Sequence, residues 1–177
     1  MTRIFAFLRS AIVLIGKLTL VVVVVTLITL NHVHAAEVDR LAEHIDQHCA
    51  KHCVDADLLR IALQHASAET RVDPLWFVAV IQAESNFSTK AINRHTGRSV
   101  GLSQIQVRWH KEKFFTRHYG DVFENVRVGM TILRDCQAKH QGNRHQALRC
   151  YNGYGSLSYA QKVAKVYRQL RADRVTV

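Results

Sequence analysis

The stretch from Asp73 to Glu84 constrains the fold more than any other part of the chain. Asp73-Pro74 is a strong helix start, with Asp as N-cap and Pro in the first turn. An apolar run follows, Leu75-Trp-Phe-Val-Ala-Val-Ile-Gln-Ala83, and it ends on Glu84. A helix that is apolar nearly all round has no face to give to water, so it belongs inside a core. A carboxyl at its end sits against that core, and desolvation there disfavours the charged form and raises the pKa. A carboxylic acid that keeps its proton near neutral pH suits a general acid for glycosidic-bond cleavage. The plainer alternative is a Glu that marks the helix's exit into solvent.

Helical spacing recurs on both sides of this run, and alternating strand patterns are scarce. Glu37 to Ala50 repeats apolar residues at Val38, Leu41, Ile45 and Cys49, and Asp57 to Ala68 does so at Leu58, Leu59, Ala62, Leu63 and Ala66. Asn125 can cap a helix through His140, with Val126, Met130, Leu133 and Cys136 on one face. A shorter helix is expected over His145 to Tyr151, broken by Gly153 and Gly155. Ser158 with Gln161 makes a capping box for a last helix with Val163, Val166, Tyr167 and Leu170 on its apolar face. Between Ser88 and about Gly120 lies a polar, glycine-bearing segment with one short apolar piece near Leu102 to Val107. These patterns predict a mainly α domain with a small irregular or hairpin segment, and a long irregular segment in such a domain tends to be functional.

The first 35 residues are set apart from this domain. Arg3, Arg9 and Lys17 precede an uncharged apolar stretch, Leu18 to Leu30, and Val33-His34-Ala35 offers small residues for a signal peptidase. The expectation is a signal peptide over 1–35, cleaved after Ala35 or Ala36, with an uncleaved inner-membrane anchor as the alternative, and a single domain over 36–177. That domain keeps 21 basic and all 14 acidic residues, a net charge of +7. Such a charge suits an anionic polymer. Export and the scatter of the basic residues argue against nucleic acid, whereas an acidic envelope polymer such as peptidoglycan fits both. The protein is expected in the periplasm as a monomer.

Export also permits disulfides among Cys49, Cys53, Cys136 and Cys150. A bridge between Cys136 and Cys150, on neighbouring helices, is the leading reading. Cys49 and Cys53 are one helical turn apart and can join only if their helix frays. His44, His48, Cys49, His52 and Cys53 also offer metal-ligand types at helical spacing, but no second ligand pair is apparent, and packing or a disulfide is preferred. No metal or cofactor is expected.

Four blocks carry a resemblance: Glu84-Ser85, Gly101-Leu-Ser-Gln-Ile-Gln106, Glu124-Asn-Val-Arg-Val-Gly129 and Ala147-Leu-Arg-Cys-Tyr-Asn-Gly-Tyr-Gly155. Each is weak alone, but four in order are specific. Together, over roughly residues 55 to 170, the chain resembles the transglycosylase domain of the soluble lytic transglycosylases in its small single-domain form. The resemblance implies a lysozyme-like helical fold and cleavage of the β-1,4 bond between N-acetylmuramic acid (MurNAc) and N-acetylglucosamine (GlcNAc). It implies that Glu84 is the sole catalytic acid, that the Tyr151 hydroxyl lies close to that carboxyl, that Gln104 lines the sugar groove, and that Asn152 helps hold the site's backbone. Ser85 either touches substrate or caps its own backbone. The chain departs from the family pattern at Ser103, where Met is usual, and at Cys150 and Tyr154, where small residues are commoner.

From Ser85 to Lys111 there is no Asp or Glu, and Glu112 and Asp121, the next candidates, are expected on loop surface. A second carboxylate across the cleft, the usual glycosidase requirement, is therefore not evident. The expected product is a 1,6-anhydro sugar. The resemblance to small specialised members suggests local wall opening for a secretion, conjugation or pilus assembly. The alternatives are a hydrolytic lysozyme on the same fold and a non-catalytic wall-binding scaffold. Trp76 and Phe77 are expected in the core, Trp109 and Tyr154 as sugar-stacking candidates.

Overall fold

Asp73 begins the central helix as its sequence requires: its side chain accepts from the Trp76 N–H, and Pro74 stands in the first turn. In this computed structural model, which describes residues 22–26, 40–93 and 98–177, that helix is Pro74–Ser85 (α3), and every residue from Trp76 to Gln82 is buried. The chain divides into two units, 1–37 and 38–177. Of the first, only a helical stretch at 22–26 is described, and the expected leader and its cleavage site otherwise lie outside the described residues. No helix among the described residues is long and apolar enough to cross a membrane.

In the second unit, a helix over 40–48 (α1) leads to Ala56–Thr70 (α2), α3, Val107–His110 (α4), a 3-10 turn at Lys111–Lys113, Val122–Lys139 (α5), Arg144–Tyr151 (α6) and Leu157–Ala172 (α7). Helix α5 packs on α2 and α6, and α3 on α7 and α2. Leu59 and Leu63 of α2, Phe77 and Ile81 of α3, Val126 and Met130 of α5, Leu148 of α6, and Val163 and Leu170 of α7 meet in one core. Fully burying a Val, Leu, Ile, Phe or Met side chain stabilises by about 1.5–3 kcal/mol.

The irregular segment forms three short antiparallel strands, Ile92–Asn93 (β1), Ser99–Val100 (β2) and Ile105–Gln106 (β3), one strand more than a hairpin. Ile105, Phe114 and Val128 make a small second core beneath it.

Two caps differ from the sequence reading. Asp121, not Asn125, caps α5, accepting from the Glu124 N–H, and Ser156, not Ser158, caps α7, accepting from the Ser158 N–H. In both places a second good capping residue follows within one turn, and spacing alone cannot choose between them. Both disulfides form. Helix α1 ends at His48, and a left-handed His52 (φ 57°) turns Cys53 back to Cys49, which a continuous helix would forbid.

Candidate active site

The chain turns sharply after α3 because two consecutive residues, Asn86 (φ 47°) and Phe87 (φ 65°), take left-handed backbone. Positive φ is uncommon for a bulky residue such as Phe. Phe87 is held there by a fully buried ring and by its carbonyl, which accepts from the Val54 N–H at 3.0 Å. The turn ends α3 one residue after Glu84 and leaves that carboxyl on the wall of a cavity of about 660 Å³.

One side of the cavity is built by Asn93, Ser99 and Ser103 to Gln106, continuing into Trp109, His110 and Lys113. The other side is Ile132, Asp135, Cys136 and Lys139 of α5, with Cys150 to Gly153 at the end of α6. The Cys136–Cys150 bridge ties α5 to α6 within this wall.

The 101–104 turn hangs on Asn125. This fully buried side chain accepts from the Ser103 N–H at 2.8 Å and donates to the carbonyls of Val100 and Tyr119 at 3.0 and 2.9 Å. Gly101 stands at φ +73°, and a Cβ there would lie 2.5 Å from Asn125 Nδ2, so glycine is required by conformation and by space. Gly129 on α5 is equally crowded, with a Cβ meeting Phe77 and the Ser103 hydroxyl. Ser103 is thus a buried filler between turn and helix at the floor of the cavity. Gln104 (φ 47°) lines the groove, its Nε2 donating to the carbonyls of Ala91 and Gly101.

Burial raises the Glu84 carboxyl from its usual range to about 7. Two groups pull the other way without offsetting it. The Tyr159 hydroxyl donates to Glu84 Oε1 at 2.6 Å, and the Lys162 ammonium lies nearby, donating to the Ala83 carbonyl at 2.9 Å. The group therefore keeps its proton up to about neutral pH. Burial pushes both phenols, Tyr151 and Tyr159, well above their ordinary range, and the Glu84 charge raises them further. Each is a neutral donor.

Of the residues singled out from sequence, Glu84, Gln104, Tyr151 and Asn152 converge on the groove, with Trp109 exposed along it. Ser85 is not among its lining; its hydroxyl donates to the Ile81 carbonyl at 3.2 Å, back along its own helix. Tyr151 donates to the Ser103 carbonyl at 2.9 Å and packs edge-on to Phe77, while Tyr159 makes the direct bond to the carboxyl. Tyr154 stands outside the lining, its hydroxyl on His140 Nε2 at 3.0 Å. Glu112 is exposed in the 3-10 turn and Asp121 is the α5 cap.

Sequence reasoning missed Tyr159 and Asp135. Tyr159 lies four residues before Val163 on the apolar face of α7, and that spacing was the available signal. Asp135 brings a second carboxyl to the groove, but Lys113 at 3.1 Å and Arg134 at 2.7 Å hold it below the usual carboxylate range against its partial burial. It stays ionised and has no proton to give.

A mainly helical domain with one proton-bearing carboxyl and one pinned carboxylate in the same cavity is suited to acid-catalysed cleavage. The protein-family model "Transglycosylase SLT domain" matches residues 61–174, most of the chain, while no solved structure matches it. The fold is accordingly lysozyme-like, and the chain belongs to the SLT transglycosylase family, the lytic transglycosylases of peptidoglycan.

Proposed function

We propose that the enzyme cuts the β-1,4 bond between MurNAc and GlcNAc and leaves 1,6-anhydro-MurNAc, with Glu84 acting first as acid and then as base. The observation that carries this reading is the contrast inside the groove: Glu84 keeps its proton to about pH 7, whereas Asp135 is pinned as a carboxylate by Lys113 and Arg134.

Glu84 gives its proton to the bridging oxygen as the bond to the muramyl anomeric carbon breaks. The positive charge that develops there is met by the carbonyl oxygen of the sugar's own 2-acetamido group. The Glu84 carboxylate, now accepting from Tyr159, takes the proton of the muramyl 6-hydroxyl while that oxygen closes on the anomeric carbon. The carboxyl is restored and no water is consumed. Proton transfer by one positioned group contributes typically ~10²–10⁴-fold, and holding the 6-hydroxyl against the anomeric carbon adds an intramolecular advantage. Gln104, Tyr151 and Asn152 serve as substrate-side residues of the groove, and Ser85 supports the helix end that carries the acid.

Peptidoglycan lies outside the cytoplasm, so the enzyme works there. The basic, apolar N-terminal segment is the proposed means of export, as a cleaved signal or as an inner-membrane anchor. The likeness to small specialised members supports local wall opening during assembly of a secretion, conjugation or pilus machine. Deleting the gene and assaying machine assembly beside bulk wall turnover tests that role.

Mass spectrometry of digested sacculi tests the chemistry, with wild type and Glu84→Gln side by side. Anhydro ends from wild type and at least a ~10²-fold loss in the variant are expected. Reducing ends would mean a hydrolytic lysozyme. Binding to sacculi without fragment release would mean a wall-binding scaffold.

A further inference from the structure

The groove carries a positive charge that a glycan does not require. Apart from Tyr151, which burial keeps neutral, its ionisable lining is Glu84, His110, Lys113, Asp135 and Lys139. Glu84 is proton-bearing, burial lowers the His110 imidazole below its ordinary range, and Lys113 is spent on Asp135 at 3.1 Å. Lys139 has no carboxylate partner and no side-chain hydrogen bond among the described residues.

Its position is nonetheless built. Lys139 is in the last turn of α5, where the helix dipole favours a cation. Its ammonium lies 5.3 Å from the centroid of the Tyr154 ring, a cation–π contact. That ring is tethered at both ends: the hydroxyl bonds His140 Nε2 at 3.0 Å, and the Tyr154 N–H donates to the Arg149 carbonyl at 2.6 Å. Beside it, a Cβ on Gly153 would meet nothing within 4 Å, which leaves room for a ligand group at this end of the groove.

N-acetyl sugars are neutral, and their hydroxyls and amides call for hydrogen bonds rather than for a charge. The anionic groups of peptidoglycan are carboxylates: those of the stem peptide and, where the stem has been removed, the lactyl carboxylate of MurNAc. Resting on the reading of this groove as a peptidoglycan site, we propose that Lys139, braced on Tyr154, forms a subsite for a substrate carboxylate at the α5–α6 end of the groove.

The test uses soluble strands in three forms: bearing uncross-linked stems, stripped of stems by an amidase so that the lactyl carboxylates are free, and stripped with those carboxylates converted to methylamides. Wild type, Lys139→Gln and Lys139→Arg are compared by kcat and KM from released fragments. On a carboxylate-bearing strand, Lys139→Gln is expected to lose roughly threefold to tenfold in kcat/KM, mainly through KM, and added salt narrows the gap. On methylamidated strands the ratio of wild type to variant falls to about one, and Lys139→Arg keeps most of the effect. Loss on stem-bearing strands identifies the stem as the source, and loss on stripped strands alone identifies the lactyl group. An equal ratio on all three substrates, whether one or large, overturns the subsite. Reducing ends in place of anhydro ends would overturn the reaction reading and leave this ratio readable. Should no fragments appear, sedimentation binding of the same three strands carries the same comparison.

Discussion

Tyr159→Phe isolates the contact that governs the acid. The substitution keeps the ring and deletes only the hydroxyl that donates to Glu84 Oε1 at 2.6 Å. That bond favours the ionised carboxyl, and it is the largest influence holding the pKa down against burial. A hydrogen bond to a charged group is worth about 1.5–3 kcal/mol. At 1.36 kcal/mol per pH unit, its loss carries the carboxyl's pKa from about 7 upward by roughly one to two pH units. The acid form is the one that starts the reaction, so kcat/KM on soluble strands falls as pH rises through the pKa of the free enzyme. Wild type should lose activity on the alkaline side of about 7, and the variant should keep its own, lower plateau to higher pH. The plateau drops by about tenfold, because the carboxylate formed on proton donation loses its donor. Carbon-13 titration of the Glu84 carboxyl in both proteins assigns the limb. An alkaline limb that stays in place, or moves to lower pH, would refute the claim that burial opposed by Tyr159 sets this proton.

Three further outcomes follow from the same geometry. Glu84→Gln should gain stability relative to wild type as pH rises from 5 to 8: the raised carboxyl favours folding below its unfolded pKa and loses that advantage up to about 7, a swing of about 2–3 kcal/mol readable by chemical denaturation at the two pH values. Asn125→Ala leaves the Ser103 N–H and the carbonyls of Val100 and Tyr119 without their partner, costing about 3–5 kcal/mol, and Gly101→Ala should follow it in melting temperature and in lost activity. Removing the Cys136–Cys150 bridge by paired Ala substitution should cost about 3 kcal/mol for a loop of this length, with the Cys49–Cys53 variant as the smaller effect.

The helices were legible because their signals are local. Asp73-Pro74, the apolar run of α3 and the spacing of α2 and α5 each identify an element without reference to any other. What the sequence left undecided depends on partners far along the chain. Asn125 is as good a helix cap as Asp121 by residue type, and only the donors and acceptors of the 101–104 turn recruit it to the core instead. Tyr159 is visible as an apolar-face residue, but the carboxyl it serves is 75 positions away. Asp135 stands next to Cys136 on the groove side of α5, and its partner Lys113 comes from the 3-10 turn 22 positions earlier.

Those long-range placements give two carboxyls in one cavity opposite protonation states. Glu84 ends a helix with no polar face, so its desolvation is built into the apolar run that precedes it, and one phenol and one lysine only moderate it. Asp135 lies on the open side of α5 between two cations, where its proton is lost well below neutrality. A hydrolytic pair would need the second carboxyl to act on water or on the sugar. Here, releasing Asp135 for that work would strip Lys113 and Arg134 of their shared partner. Replacing the pair, as in Lys113→Met with Arg134→Met, would free that carboxylate. If water chemistry is withheld by those two cations, the double variant should release a fraction of reducing ends beside the anhydro ends. If the groove excludes water by shape, the product ratio should not change, and the charge argument fails.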